Sequence, residues 1–317
     1  MNKDSSVFVA GERGLAGSAI RRALAARGFT NIVSAPRSQL DLRDAAAVER
    51  FFAKERPAYV FMAAAKVGGI VANDTYPADF IRENLLIQTN VIDAAYRHGT
   101  QKFCFLGSSC IYPRLAPQPI TESSLLTGPL EPTNQWYAIA KIAGIKMCQA
   151  YARQHGFNAI SAMPTNLYGP GDNFDLQTSH VLPALLRKFH TAKVAGDAEV
   201  TVWGSGTPRR EFLYVDDLAD ALCFLMEHYD SPEIINVGCG EDVSIAELAT
   251  LVREIVGFRG AIVYDRSKPD GTPRKLLDVS KCTALGWRAR TTLADGIAAT
   301  YAWYLQQGAR ASRSVAS

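Results

Sequence analysis

A tyrosine and a lysine four residues apart are the first pair in this 317-residue chain whose spacing suggests chemistry. Within Tyr137-Ala138-Ile139-Ala140-Lys141 both side chains would lie on one helix face, because residues i and i+4 are neighbours there. A phenol titrates at about pH 10, and a neighbouring ammonium should lower its pKa toward neutrality. Ser108 follows an earlier apolar run, where its hydroxyl would hydrogen-bond a substrate carbonyl beside the phenol. The tyrosine–lysine pair is weak alone, since it also occurs by chance on exposed helices.

A glycine-rich turn near the start of the chain is suited to holding a dinucleotide. The turn reads Gly11-Glu12-Arg13-Gly14-Leu15-Ala16-Gly17. Its glycines would let a pyrophosphate approach the backbone, and a following helix N-terminus would offer free N–H groups and positive dipole charge. The GxxGxxG spacing differs by one residue from GxGxxG, and structural turns also use glycine. Its place at the first strand–helix junction favours a nucleotide.

The residues after the second apolar run bear on the choice of dinucleotide. NAD-specific folds usually carry an acidic residue about 20 positions beyond the glycine turn. Arg37 occupies that place, and Arg13 lies within the turn itself. Guanidinium groups match a 2′-phosphate, so we expect NADP(H), with solvated surface arginines as the alternative. Asp41 and Leu42 would border the adenine, and the small run Ala63-Ala64-Ala65 would let the cofactor cross the sheet.

An alternation of short apolar runs with longer amphipathic stretches supplies the scaffold for these residues. The predicted strands are 7–10, 31–34, 59–65, 102–106 and 158–163, and the predicted helices are 14–28, 45–56, 78–98 and 134–155. This pattern is typical of a parallel sheet covered on both faces. We therefore expect an α/β protein with a Rossmann-like, doubly wound parallel sheet.

A cluster of helix and strand breakers at residues 169–173 predicts a domain boundary near residue 170. Residues 1–170 would form the NADP-binding Rossmann domain, joined by a helix and a strand from about 212–240. Residues 171–317 would form mainly a smaller, mixed α/β substrate-binding domain.

Composition excludes several classes of protein. Apolar types make up 48% of the residues and charged types 21%, which is an ordinary globular balance. A net charge of +3 gives no argument for nucleic acid. No apolar run approaches the roughly 18 residues of a membrane span, and the N-terminal apolar run is too short for a secretory signal. The six cysteines form no CxxC pair, so we expect reduced thiols, a cytoplasmic location and no metal site.

Four further segments carry a resemblance to a known family. They are 63–70 (AAAKVGGI), 106–113 (LGSSCIYP), 164–170 (PTNLYGP) and 268–275 (KPDGTPRK). With the motifs above, they resemble the extended short-chain dehydrogenase/reductase family, and within it the epimerase–reductases that act on GDP-4-keto-6-deoxy-D-mannose. The resemblance runs from Val7 to about residue 305. It implies inversion at C3 and C5 of the sugar, followed by NADPH-dependent reduction at C4 to GDP-L-fucose.

The resemblance also implies roles for individual residues. Cys110 would be the base and His180 the acid of the epimerisation, although a lone cysteine or histidine is more often structural. Tyr137 would protonate the C4 oxygen, and Lys141 would also hold the nicotinamide ribose. The other implied cofactor-binding residues are Gly11, Arg13, Gly14, Leu15, Ala16, Gly17, Arg37, Asp41, Leu42, Ala63, Ala64, Leu106, Gly107, Ser108, Ser109, Pro164, Thr165, Asn166, Leu167 and His180.

The second half of the chain would bind the GDP-sugar. The implied substrate-binding residues are Lys188, Trp203, Arg210 and Asp270. Arg210 would bind the pyrophosphate, and Trp203 offers a flat ring. The helices 78–98 and 134–155 resemble the family's dimer-forming pair, so we expect a homodimer.

Two other functions are consistent with parts of the pattern. One is another NAD(P)-dependent sugar-nucleotide enzyme of the same fold, such as a 4-epimerase or a 4,6-dehydratase. The dehydratases carry acidic residues directly after the strand-end Ser/Thr, where this chain has Ser109-Cys110-Ile111. The other is a regulatory module that senses NADPH without chemistry, which would have no need of Tyr137 and Lys141 together.

Overall fold

The elements follow one another much as the apolar pattern predicts. The computed structural model describes residues 1–268 and 270–314, so Pro269 of the segment 268–275 lies outside the described residues. The strands are β1 (Val7–Ala10), β2 (Ile32–Val33), β3 (Tyr59–Met62), β4 (Lys102–Leu106), β5 (Ala159–Pro164), β6 (Asn166–Tyr168), β7 (Glu199–Trp203), β8 (Arg209–Arg210), β9 (Phe212–Tyr214), β10 (Ile234–Val237), β11 (Val243–Ser244), β12 (Ala261–Asp265) and β13 (Arg274–Lys275). The helices are α1 (Leu15–Ala26), α2 (Ala45–Glu55), α3 (Ile70–Thr75), α4 (Pro77–Arg97), α5 (Gln135–His155), α6 (Val181–Ala195), α7 (Val215–His228), α8 (Ile245–Val256), α9 (Ser280–Ala284) and α10 (Leu293–Ser314).

A six-stranded parallel sheet forms the centre of the molecule, in the order β10-β5-β4-β3-β1-β2. From β1 the chain passes to β2 on one side and then to β3 on the other, so the strand order reverses at β1. A reversal of this kind opens a crevice at the carboxyl ends of the strands, where α/β proteins bind ligands. The predicted Rossmann-like α/β class is confirmed.

Helices cover both faces of this sheet, because alternate residues of each buried strand point to opposite sides. Val7 and Val9 of β1 pack in the core beneath α1 and α7. Phe8 and Ala10 of the same strand pack in the opposite core, beneath α2, α4 and α5. The continuous apolar character of the strands follows from burial on both sides.

A second, smaller mixed α/β region follows the sheet. Its core is formed by apolar residues of α6, α8, α10, β7 and neighbouring strands. β7 pairs with β12 in parallel, while β8 lies between β11 and β13. Between these elements the chain returns to the large sheet, because β10 pairs with β5 and α7 packs on α1. No helix within residues 1–268 or 270–314 has the length and apolar character to cross a bilayer.

The structure differs from the sequence prediction around the third strand. β3 ends at Met62, so the run 63–65 follows the strand instead of ending it. The N–H of Ala63 still donates to the carbonyl of Ala10 at 3.1 Å. Ala64 then passes so close to Gly11 that a Cβ on that glycine would lie 2.9 Å from Ala64 Cα. The chain leaves the sheet there and forms the unpredicted α3 after a short loop.

Gly144 sets how closely α5 approaches the sheet. A Cβ added there would lie 2.4 Å from Phe105 Cζ and 2.8 Å from Gln88 Oε1. We expect Gly144→Ala to lower the free energy of unfolding by about 1–3 kcal/mol through overpacking, measured by urea denaturation. Ala150→Ser, at an exposed position of the same helix, is the control. Equal changes in the two variants would contradict this packing.

Candidate active site

The glycine turn is compact because the backbone passes too close to Gly11 and Gly17 for either to carry a side chain. Gly11 has a φ of +86°, a left-handed conformation that other residues rarely adopt. A Cβ on Gly17 would lie 2.1 Å from the Gly11 carbonyl oxygen, so only glycine lets α1 begin this close to the turn. The N–H of Gly14 donates to the same oxygen at 2.9 Å.

The N-terminus of α1 is open toward the crevice. Gly14 is its N-cap in an extended conformation, no side chain caps the helix, and its first turn carries no acidic residue. A Cβ on Gly14 would meet only the Gly11 oxygen, at 3.4 Å. The first N–H groups of a helix lack intrahelical partners and carry positive dipole charge. This end of α1 therefore fits a dinucleotide pyrophosphate.

The charged groups beyond β2 leave a positive surface at the place expected for a 2′-phosphate. Arg13 and Arg37 are both exposed. Arg37 Nη2 lies 3.8 Å from the Glu83 carboxylate, and that arginine side chain keeps 70% of its surface free. A hydrogen bond from Arg43 lowers the pKa of Asp41 to about 2. The Asp41 charge is therefore paired with Arg43 and does not oppose an anion near Arg37.

Ser108, Tyr137 and Lys141 meet where β4 ends beside the first turns of α5. The Ser108 side chain lies close enough to the Tyr137 phenol to lower its pKa. Lys141 is 3% exposed, donates from Nζ to the Leu106 carbonyl at 2.8 Å, and lies 5.8 Å from the centre of the Tyr137 ring. The structure therefore brings the predicted serine, phenol and ammonium together.

The expected direction of the Tyr137 pKa is wrong. Burial raises the pKa of Tyr137, and the hydrogen bond with Ser108 offsets this only in part. Burial also lowers the pKa of Lys141 to about 8, since the charged form is the one that loses solvation. The phenol is thus held protonated at neutral pH, as a proton donor must be.

Cys110 lies in a single 3₁₀ turn, Ser109–Ile111, that follows Ser108. Its half-buried sulfur accepts a hydrogen bond from Asn134 Nδ2 at 3.5 Å and lies 3.7 Å from Lys275 Nζ. A charge on Cys110 would raise the pKa of both Tyr137 and Lys141, which shows that the thiol belongs to the same cluster.

His180 is the N-cap of α6 and keeps contact with solvent. Neighbouring protein atoms lower its pKa by desolvation, and the positive charge of Lys275 lowers it further. The loop that carries His180 is tied to the loop after β3, because Gly69 N–H donates to the Thr178 carbonyl at 3.0 Å. Lys275 thus lies near both His180, the predicted acid, and Cys110, the predicted base.

The remaining predicted cofactor residues lie at or after the carboxyl ends of the central strands, in the first turn of α1, or in β6. Gly107 follows β4, and a Cβ there would lie 2.4 Å from Met163 Cε, so a larger residue would displace the end of the Met163 side chain. Thr165 Oγ1 and Asn166 Nδ2 both donate to the Glu211 carbonyl, at 3.2 and 2.8 Å. The others in this set are Leu15, Ala16, Leu42, Ala63, Ala64, Leu106, Ser109, Pro164 and Leu167.

The four predicted substrate-binding residues form a second cluster. Trp203 is 49% exposed, and Lys188 Nζ lies 5.0 Å from its ring centre. The Asp270 carboxylate accepts from Ser205 N–H at 2.7 Å and from Ser205 Oγ at 2.8 Å. Arg210 Nη2 donates to the Asp270 carbonyl at 3.4 Å. Burial lowers the pKa of Arg210 and of Lys188, so both cations would gain from an anionic partner.

The two clusters are joined through one pair of strands. β13 pairs with β8 in parallel, with Lys275 opposite Arg210. Arg210 belongs to the substrate cluster, and Lys275 reaches the Cys110 sulfur. The strand pair therefore connects the cations of the second cluster to the sulfur beside the serine–tyrosine–lysine group.

Comparison with known proteins agrees with this geometry. A family model described as the NAD dependent epimerase/dehydratase family matches residues 7–238. The chain belongs to the NAD dependent epimerase/dehydratase family. GDP-L-fucose synthase 1 of Arabidopsis thaliana is 63% identical to this member over 305 residues, which cover 96% of this chain and 94% of that protein.

Solved structures of the same family share the whole architecture. A GDP-6-OMe-4-keto-L-xylo-heptose reductase from C. jejuni gives a TM-score of 0.93 at 40% identity, covering 97% of this chain and 99% of that chain. A GDP-L-fucose synthetase from Naegleria fowleri bound to NADP gives a TM-score of 0.89 at 32% identity, covering 97% of this chain and 96% of that chain.

Sequence reasoning missed several residues of this epimerase/dehydratase family site. Asn134 and Lys275 contact Cys110, and Arg43 neutralises Asp41. Lys275 stands in the quoted segment 268–275, but nothing in that segment shows which residue it approaches. Asn134 is the first residue of the predicted tyrosine–lysine helix 134–155, which is the one local signal that would have pointed to it.

The burial of Lys141 predicts a pH-dependent stability. Its pKa falls from 10.5 to about 8 on folding, so the unfolded chain binds more protons between these values. Stability therefore rises with pH across this window, because unfolding must take up a proton there. Relative to Lys141→Met, the wild-type free energy of unfolding should increase from about pH 8 to pH 10, measured by urea denaturation. Lys146→Met, an exposed lysine of the same helix, is the control, and a constant difference would contradict the burial.

Proposed function

We propose that this protein is a bifunctional NADPH-dependent 3,5-epimerase and 4-reductase that converts GDP-4-keto-6-deoxy-D-mannose to GDP-L-fucose. The observation that carries the proposal is the adjacency of two catalytic groups. Ser108, Tyr137 and Lys141 suit carbonyl reduction, while Cys110 beside Lys275, with His180 near the same lysine, suits proton transfer at carbon. The similarity to GDP-L-fucose synthase 1 supports the choice of substrate.

NADP(H) fits the crevice at the carboxyl ends of β1, β3, β4 and β5. The N-terminus of α1 would hold the pyrophosphate, and Arg13 and Arg37 would hold the 2′-phosphate. Lys141 would bind the nicotinamide ribose from its place beneath Tyr137. When bound as NADPH, the cofactor supplies a hydride to C4 of the sugar. The NADP bound to the Naegleria fowleri relative supports this cofactor.

Epimerisation would come first, because the C4 ketone makes the protons on C3 and C5 acidic. Cys110 as thiolate takes a proton from one face of the carbon, which leaves an enolate and forms a thiol. His180 in its protonated form gives a proton to the opposite face and becomes neutral, so the configuration inverts and no net proton is consumed after both groups exchange with solvent. Ser108 and the Tyr137 hydroxyl stabilise the negative oxygen of the enolate.

Reduction would follow at the same carbonyl. Tyr137 donates its phenolic proton to the C4 oxygen as that carbon is reduced. The adjacent Lys141 ammonium stabilises the phenolate that remains. Ser108 positions the oxygen through its hydroxyl. The raised pKa of Tyr137 suits this role, because it keeps the proton in place until charge develops on the substrate.

The nucleotide would lie along the second cluster. Arg210 and Lys188 would bind the pyrophosphate, and Trp203 would pack its half-exposed ring against the nucleoside. Asp270 would accept a hydrogen bond from the substrate once it is positioned by Ser205. We propose the domain division accordingly: residues 1–170 with about 212–240 hold the cofactor, and the rest of 171–317 mainly holds the GDP-sugar.

We also propose a homodimer and a cytoplasmic location. The exposed apolar side chains of Trp136 and Ile139 on α5 support an interface that includes α4 and α5. The six cysteines are free thiols, as in proteins of reducing compartments.

A second candidate function is reduction of a GDP-4-keto sugar without epimerisation. The similarity to the C. jejuni reductase favours it. Since the reductase group needs only Ser108, Tyr137 and Lys141, the role of Cys110 distinguishes the two functions. Transfer of solvent deuterium to C3 and C5 is expected only for the bifunctional enzyme.

The proposal is tested with a panel of 4-keto sugar nucleotides and NADPH. Wild-type enzyme should oxidise NADPH with GDP-4-keto-6-deoxy-D-mannose and release GDP-L-fucose, identified by absorbance at the NADPH band and by NMR of the product. Tyr137→Phe should still bind NADPH but turn over at least about 100-fold more slowly, because the proton donor is lost. Wild-type-like turnover in this variant, or the absence of any turnover in wild type, would overturn the proposal.

The arginines near β2 predict the cofactor preference. Replacing both Arg13 and Arg37 with Ala should remove most of the preference for NADPH over NADH, since the 2′-phosphate loses its charged partners. The ratio of kcat/KM for the two cofactors measures this. Arg50→Ala, a distant arginine on α2, is the control for loss of positive charge. An unchanged ratio in the double variant would contradict the assignment.

A further inference from the structure

Two nitrogen donors from distant parts of the chain converge on one sulfur atom. Asn134 Nδ2 lies 3.5 Å from Cys110 Sγ, and Lys275 Nζ lies 3.7 Å from it. Asn134 directly precedes α5, whereas Lys275 ends β13 in the substrate-binding region. Hydrogen bonds from an amide and an ammonium stabilise a thiolate more than a thiol. The sulfur is therefore placed in surroundings that favour its negative form.

The backbone at Lys275 is held by strand pairing and by hydrogen bonds of the two residues that follow it. Lys275 pairs with Arg210 across β13 and β8. The next residue, Leu276, donates its N–H to Gln118 Oε1 at 2.9 Å. Leu277 then donates to a Glu211 carboxylate oxygen at 3.1 Å. The lysine thus starts from a hydrogen-bonded backbone and reaches the Cys110 sulfur with its side chain.

The backbone of Asn134 is also held by a hydrogen bond, and its side-chain oxygen can accept one more. Its N–H donates to the Glu131 carbonyl at 3.2 Å, which fixes the backbone before α5. Its side-chain oxygen is buried and has no hydrogen-bond partner among the described residues. A buried amide oxygen without a partner costs free energy, so a hydroxyl of the bound sugar is a fitting donor to it.

We propose that Asn134 and Lys275 are positioning residues that hold Cys110 as a thiolate and thereby prepare it as the base of the epimerisation. This inference rests on the proposed function for the role of the base, but the thiolate itself does not depend on any substrate. The proton that leaves carbon bonds to sulfur, and the electron pair of the C–H bond becomes the enolate. The charged and titratable groups near the sulfur are Tyr137 and Lys141 from α5 and Lys275 from β13. Lys275 also lowers the pKa of His180.

The test measures how fast iodoacetamide alkylates Cys110 as a function of pH, since only the thiolate reacts. The full-length protein is used without substrate, and mass spectrometry of the Cys110 peptide separates it from the other cysteines. In Lys275→Met the rate at pH 7 should fall about tenfold and the midpoint should move up by about one pH unit. Asn134→Ala should show a smaller shift in the same direction. Lys146→Met, an exposed lysine of α5, should leave both values unchanged.

A second measurement links the thiolate to the reaction. Solvent deuterium incorporation at C3 and C5 should fall about tenfold in Lys275→Met at pH 7 and recover toward higher pH. Lys275→Arg should restore most of it, because the positive charge returns. Thermal unfolding of each variant verifies that the fold persists.

The outcomes separate this inference from the proposed function. If the alkylation profile of Lys275→Met matches wild type while KM for the GDP-sugar rises, the lysine binds phosphate only and the inference is overturned. If the profile shifts but wild-type enzyme epimerises no GDP-sugar, the proposed function fails and the thiolate assignment stands. A shift together with lost deuterium incorporation supports both.

Discussion

The buried ammonium of Lys141 constrains the rest of the site, because a charge at that depth is tolerated only where a strong acceptor meets it. The Leu106 carbonyl is that acceptor, at 2.8 Å, and the Phe105 ring centre lies 4.9 Å from the same nitrogen. Leu106 ends β4, so the bond that satisfies the cation also fastens α5 to the strand that leads to Ser108. Tyr137, one turn earlier on the helix, consequently meets the Ser108 hydroxyl.

Glu211 is a second buried charged residue, and its hydrogen bonds connect the two regions of the molecule. It is fully buried, and its carboxylate accepts hydrogen bonds from Gly240 N–H at 2.7 Å and Leu277 N–H at 3.1 Å. Its backbone carbonyl accepts from the side chains of Thr165 and Asn166, which follow β5. Burial raises the pKa of Glu211, and these hydrogen bonds partly offset the cost. One residue thus sets the distance between the cofactor crevice and the strand that carries Lys275.

The cations proposed to bind phosphate groups differ in how far they are exposed to solvent. Arg13 in the glycine turn and Arg37 beyond β2 are exposed. Lys188 and Arg210 in the second cluster have pKa values lowered by burial. A partly desolvated cation gains more from an incoming pyrophosphate than an exposed one, because it has less water to lose. The proposed pyrophosphate contact at the second cluster is consistent with this difference.

The sequence by itself determined the features that depend on local spacing. The alternation of apolar runs predicts the parallel sheet, the glycines of the first turn predict an open helix N-terminus, and the i,i+4 spacing puts Tyr137 and Lys141 on one face. The tertiary structure alone decided which distant groups meet. Lys275 is 165 residues from Cys110, and no pattern in either segment encodes that contact. The direction of the Tyr137 pKa was likewise beyond the sequence, since burial raises it only once the chain has packed around the ring.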